Sequence, residues 1–139
     1  MIDTTDTGPN PYVVNINTAT LENENFRTTL WTGTNLQTTL MTIQPGHDIG
    51  LETHTTRDQF LRIEQGHARV EMGATAETLS KWDASDDDAI FVPAGIWHNL
   101  TNIGTEPLKL YSIYAPAEHP HGTVHHTKAD ADAAEHHQT

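Results

Sequence analysis

"GLETHTTRDQFLRIEQG", residues 50–66, is the stretch on which the reading of this chain turns. It sets a carboxylate and an imidazole, Glu52 and His54, two positions apart, with an amide, Gln59, five further on. On a helix, residues two apart point in nearly opposite directions; on a strand they share a face. Glu52 and His54 therefore converge only if "LETH" is extended. In the segment that follows, Gln59, Leu61 and Ile63 fall on one face and Phe60, Arg62 and Glu64 on the other. An amide in line with Leu and Ile points inward, where it must find partners. A metal ion held between these side chains would be such a partner.

Working outward, the chain from Leu36 onward is a series of short β segments: "LQTTLMTI", "DQFLRIEQG", "ARVEMG", "AIFVP" and "LKLYSIYA". They are rich in Thr, Val, Ile, Phe and Tyr, and turn signals such as "PGHDIG", "EQGH", "ASDDD", "PAG" and "NIGTEP" separate them. Many short strands at regular spacing predict an all-β barrel or sandwich. Upstream, "YVVNI" at Tyr12–Ile16 alternates as a strand does, and "TATLENENFRTTLW" is the expected place for one or two turns of helix. The expected layout is an arm over residues 1–11, a barrel over 12–115 and an extension over 116–139.

The 139 residues suit one domain. Seven basic residues face nineteen acidic ones, a formal charge of −12 that disfavours nucleic acid and anionic lipid as partners. No apolar run approaches the ~20 residues of a membrane-spanning helix, and the N-terminus lacks the pattern of a secretory signal. The absence of cysteine fits a reducing cytoplasm. No phosphate loop, nucleophile elbow or thiol is present, so nucleotide hydrolysis and covalent acyl chemistry have no residues to act through.

"FVPAGIWHNLTN" then delivers His98 after a Pro-Ala-Gly turn, in position to arrive opposite Glu52 and His54. With these residues on the page, the chain resembles the cupins, small double-stranded β-helix (jelly-roll) barrels. Their first motif, G-x5-H-x-H-x3–4-E-x6-G, is matched in spacing by Gly46, Glu52, His54, Gln59 and Gly66. Their second, G-x5-P-x-G-x2-H-x3-N, is matched by Pro93, Gly95, His98 and Asn102, with Asp87 at the leading glycine. The resemblance spans about residues 36 to 115, and the wording around both motifs is also similar to one-domain bacterial cupins labelled mannose-6-phosphate isomerase-like. It implies a metal set of Glu52, His54, Gln59 and His98. Glu52 replaces the family's first His and Gln59 its usual Glu, which leaves two imidazoles, one carboxylate and a weaker amide oxygen. Mn, Fe or Ni suit that set, and Zn or Cu are admitted.

The expectation is a metal-dependent enzyme that activates a small polar substrate or dioxygen. A sugar or sugar-phosphate isomerase and a non-catalytic binding module are the alternatives. Trp97, Ser112 and Tyr114 are the candidate substrate contacts; Trp97 could wall the pocket, and the other two alternate with Leu108 and Leu110 along one strand. A homodimer is expected, with "YVVNI" against a second subunit, because open barrels expose edges that need covering. The tail histidines, His119, His121, His125, His126, His136 and His137, suggest a solvated or surface-packed segment, with residues 116–127 against the barrel and 129–139 dispensable.

Overall fold

The computed structural model describes residues 1–137. The elements in chain order are α1 (Ile16–Glu22), β1 (Arg27–Thr32), β2 (Gln37–Ile43), β3 (Asp58–Gln65), β4 (His67–Thr75), β5 (Thr78–Ser85), β6 (Ala89–Val92), β7 (Trp97–Asn102), β8 (Leu108–Ala115), β9 (Val124–His125) and α2 (Lys128–His137). Six strands form one sheet in the order β6-β3-β8-β2-β1-β9, and three form a second in the order β5-β4-β7. All named pairs are antiparallel. This is the all-β jelly roll expected of the cupin pattern.

Alternation along each strand builds the interior. Met41 and Ile43 of β2, Leu61 and Ile63 of β3 and Leu108 and Leu110 of β8 meet Val70 and Leu100 from the smaller sheet in one apolar cluster. The opposite face of β1, β2 and β8 is also covered. Leu30, Leu40 and Tyr111 pack against Ala19 of α1 and against Ile2, Tyr12, Val14 and Ile16. Buried on both faces, β2 shows no residue open to solvent. Of its threonines, Thr42 is accommodated by a bond from its Oγ1 to the Asn23 carbonyl, 2.6 Å.

Two turns carry the motif geometry. Gly66, between β3 and β4, takes φ +116°, and a Cβ there would sit 3.0–3.1 Å from Leu108 atoms. Asp87 holds the place of the family's leading glycine and adopts φ +73°, a left-handed conformation that Asp tolerates better than most residues. Its amide donates to the Ile63 carbonyl at 2.8 Å.

Several local expectations are corrected. Tyr12–Asn15 is not a strand, and α1 begins at Ile16 with Asn15 as its cap, its side-chain oxygen accepting from the Thr18 amide at 2.9 Å. Tyr12, Val14 and Ile16 pack on this chain's own sheet, so alternation here marks a segment that covers it. Of the stretch expected to hold one or two turns of helix, Thr18–Glu22 lies in α1, while its end, from Arg27, is β1, paired with β2 on one side and β9 on the other. β5 lacks an alternating signal because nearly all of it is exposed, and pairing with β4 alone makes it a strand. Residues 1–11 lie along the barrel, fastened by Asp6, whose carboxylate accepts from the Thr32 amide (3.0 Å), the Thr32 hydroxyl (2.6 Å) and the Gly122 amide (3.2 Å). α2 docks through Ala131, which is 3% exposed within the main apolar cluster, a contact that the expected dispensability of residues 129–139 did not include.

Candidate metal centre

Backbone pairing brings the two motifs together. Glu52 and His98 form an isolated antiparallel bridge, the Glu52 amide donating to the His98 carbonyl (3.0 Å) and the His98 amide to the Glu52 carbonyl (2.8 Å). The Gly95 amide donates to the His54 carbonyl at 2.8 Å, which ties the Pro-Ala-Gly turn to the first motif. Asn102, the last residue of the second motif, gives its amide hydrogens to the carbonyls of Ile43 (2.8 Å) and Glu106 (2.9 Å) and shapes the fold outside the site.

Glu52, His54 and His98 each offer a ligand atom, all within 4.8 Å of one another. His54 Nε2 lies 3.4 Å and His98 Nε2 3.5 Å from the same oxygen, Glu52 Oε1. These spacings are long for hydrogen bonds. Both Nε2 atoms are buried without a hydrogen-bond partner. On the far side of each ring the other nitrogen faces an oxygen: His98 Nδ1 the Ile96 carbonyl at 3.2 Å, and His54 Nδ1 Glu118 Oε2 at 3.3 Å, an ion-pair contact in which that oxygen makes no hydrogen bond. An imidazole anchored through Nδ1, with Nε2 free, is the arrangement of a metal-bound histidine.

Gln59 completes the group from the inward face of β3. Its Nε2 donates to Ser112 Oγ at 2.8 Å, while its Oε1 is buried with no partner. Three unpartnered buried donor atoms and one carboxylate are costly alone and fit a divalent cation. Burial would raise the Glu52 carboxyl, but the imidazoles of His54 and His98 outweigh it and hold it at about 2. Burial lowers His54, and the Glu52 carboxylate, aided by Glu118, more than reverses this, so its net shift is upward.

The expected substrate contacts divide. Ser112 and Tyr114 face the interior, both buried. The Tyr114 ring meets His54 edge-on with centroids 5.8 Å apart, and burial pushes its phenol up to about 12, so it stays neutral. Trp97 does not join them. It neighbours His98 on β7, where alternation turns it to the opposite face.

Two residues of the segment expected to pack against the barrel, Glu118 and His119, reach the site, a role the sequence did not assign them. Glu118 backs His54 and pairs with Arg57 Nε at 3.1 Å. The His119 ring lies edge-on to Tyr114, centroids 5.3 Å apart, with its Nε2 buried and unpartnered. Gln37 holds this turn, donating to the His119 carbonyl (2.8 Å) and accepting from its amide (3.0 Å). A buried Gln on an inward strand face was the one available signal. The side chains of His136 and His137 lie outside the described residues.

Comparison with known proteins agrees with this geometry. Residues 39–114 match the Cupin domain family, and the chain belongs to it. It is 61% identical over 131 residues to the uncharacterized protein YrkC of Bacillus subtilis (strain 168), covering 94% of this chain and 70% of that one. The crystal structure of BH2720 from Bacillus halodurans superposes with TM-score 0.92 at 58% identity, covering 93% of this chain and 98% of that one. Bacillus subtilis oxalate decarboxylase, which has Mn(II) centres, superposes with TM-score 0.57 at 24% identity over 62% of this chain and 23% of its own; at that identity the likeness concerns the fold alone. No described helix is long and apolar enough to cross a membrane.

Proposed function

We propose that this cupin is a metal-dependent enzyme acting on a small polar molecule, with Glu52, His54, Gln59 and His98 holding one divalent transition-metal ion, Mn, Fe or Ni by preference. The observation that carries the reading is the set of buried, unpartnered atoms, His54 Nε2, His98 Nε2 and Gln59 Oε1, beside an ionised Glu52. When bound, such an ion supplies Lewis-acid polarisation of a substrate oxygen or redox chemistry toward dioxygen. The chain's own residues orient and insulate. Glu118 and the Ile96 carbonyl aim the two imidazoles, Ser112 aims the Gln59 amide, and Tyr114 presents a neutral aromatic wall.

The isomerase alternative, the sense of the mannose-6-phosphate isomerase-like label, needs a proton-transfer group outside the ligand set. His119 is the nearest candidate, but burial, reinforced by the Arg27 charge, pushes its imidazole down to about 3. A group that weakly basic is an acceptor or donor of hydrogen bonds and a poor base at neutral pH. This favours the first reading. The same proposal includes a second copy of the chain over the exposed face around Phe91, argued below.

The test is metal analysis of protein purified without chelators, followed by separate loading with Mn, Fe, Ni, Zn and Cu. One equivalent should bind the wild type, and Glu52→Ala, His54→Ala or His98→Ala should lose most of it. Stoichiometric binding to none of the five, or unchanged binding in the variants, overturns the reading. With a substrate in hand, loss of turnover without dioxygen marks oxygenase chemistry, metal dependence alone marks isomerase or lyase chemistry, and no turnover marks a binding module.

A further inference from the structure

Arg27 of β1 is only 4% exposed, yet among the described residues no carboxylate lies within ion-pair distance of it. Its Nη1 faces His125 Nδ1 at 3.2 Å, and its guanidinium lies over the Phe26 ring, 5.2 Å from the centroid. Its Nε is buried with no partner at all. Neither a neutral imidazole nor an aromatic ring neutralises a buried cation, and an uncompensated charge in that position is expensive.

Register places this cation among other unpartnered groups. Arg27 pairs with Met41, and alternation puts Met41, Thr39 and Gln37 on the inward face of β2. Thr39 is fully buried and its Oγ1 has no partner. It sits directly opposite Ser112, the residue that holds Gln59. His119 Nε2, also buried and unpartnered, reaches the ion site through contacts of its ring with Tyr114 and of Tyr114 with His54. The Arg27 charge is felt at both Tyr114 and His119. One guanidinium nitrogen, a hydroxyl and an imidazole nitrogen thus stand unsatisfied on the inner wall of the barrel that also holds the metal centre.

We propose that these groups form an anion subsite, and that the barrel binds a small organic carboxylate with one carboxylate group on Arg27, Thr39 and His119. The proposal rests on the metal-centre reading for the position of the rest of the molecule, and on Arg27 alone for its charge. Nη1 is already engaged, so the guanidinium offers its Nε edge, whose planar pair of donors matches the two oxygens of a carboxylate. Glu52 is the one carboxylate of the ligand set. With a divalent ion in the same barrel as Arg27, the interior is left positive, which an anionic ligand corrects and a neutral sugar does not.

The experiment is calorimetric titration of Mn-loaded full-length protein with acetate, pyruvate and oxalate, with inorganic phosphate and glucose as comparisons, repeated on EDTA-treated protein. At least one carboxylate should bind the loaded wild type and raise its Tm. Arg27→Met, which removes the charge and keeps the bulk, should weaken that binding by tenfold or more while retaining stoichiometric Mn. Arg27→Lys should recover part of it. Without ligand, Arg27→Met should unfold no earlier than wild type, whereas a purely structural arginine would make the variant less stable. Failure of every carboxylate to bind the loaded wild type overturns the proposal and assigns the unpartnered atoms to water. Equal binding by Arg27→Met, or tighter binding of phosphate than of any carboxylate, overturns it too. The EDTA-treated arm separates the two readings: weak binding that still depends on Arg27, in a protein that takes up no metal, would sink the metal centre and leave the anion subsite standing.

Discussion

Gln59 gives its amide hydrogen to Ser112 Oγ at 2.8 Å, and in this orientation its Oε1 is left without a partner. A Gln side chain can be turned end for end at little cost unless a neighbour selects one orientation. The neighbour here, on the adjacent strand directly across from Leu61 in the β3–β8 register, is a hydroxyl, which accepts or donates and so anchors the amide without choosing its end. A cation drawn to the oxygen would make that choice.

Ser112→Ala should therefore weaken metal binding although Ser112 is not a ligand. The loss of one orienting hydrogen bond is about 1 kcal/mol, or about fivefold in affinity. Gln59→Ala should cost more than Ser112→Ala and less than either histidine variant. Gln59→Glu adds a negative charge and should bind Mn at least as tightly as wild type. Competition against a fluorescent chelator ranks all four, and a Ser112→Ala variant as severe as His98→Ala would contradict the orienting role.

Glu118 holds His54 from outside the site. Partners of this kind, when removed, cost about 10–100-fold in metal affinity. Glu118→Ala should fall in that range, and Arg57→Ala, one contact further away, should do less. Truncation after Tyr114 would remove Glu118 and His119 together and should be worse than either point change. Unaltered metal affinity in Glu118→Ala, measured by the same competition, would show that the contact is incidental.

The pH dependence has opposite signs with and without metal. In the metal-free protein His54 lies above its ordinary value of 6.5. Its contribution to stability is full below that value and fades as pH rises through the raised pKa. Metal needs the neutral ring, so affinity climbs through the same window and falls by about tenfold per pH unit below it. Glu52, held at about 2, stays ionised throughout. The gain in Tm from added Mn should be larger at pH 8 than at pH 6, and equal gains at both would be inconsistent with this account.

Ala131 seats α2 in the main apolar cluster. Ala131→Asp would bury a carboxylate with no partner and should destabilise by about 1–3 kcal/mol. Thermal denaturation in the presence of EDTA isolates this effect from metal binding. A Tm within experimental scatter of wild type would mean that the helix docks too weakly to matter.

Phe91 is 69% exposed on the edge strand β6, stacked against Phe60 with centroids 5.2 Å apart, and Trp82 nearby is 49% exposed. Exposed aromatic patches on a sheet edge are places where chains associate. The expected mass in solution at micromolar concentration is that of a dimer, and Phe91→Asp should give the monomer. Light scattering coupled to size exclusion decides it, and a monomeric wild type removes the proposal.

The two cupin motifs were legible because their spacing translates into local geometry. Glycine turns at Gly66 and Gly95, inward alternation at Gln59 and Leu61, and a turn before His98 all depend on residues close in the chain. The all-β class followed from the same local patterns, from Leu36 onward. What local pattern could not specify was pairing. Arg27–Thr32 has the Thr and Trp that strands favour, yet only β2 and β9 flanking it decide between strand and helix, and β5 carries no mark until β4 pairs with it. Tyr12–Ile16 alternates as strands do, yet its apolar residues cover Leu30 and Leu40. Glu118, His119 and Arg27 meet the barrel interior only because distant segments are packed there, Gln37 fastening the first two and β2 setting the third in register. A residue's chemistry is written in the sequence, but its neighbours are chosen by long-range hydrogen bonds and burial, which no window of adjacent residues contains.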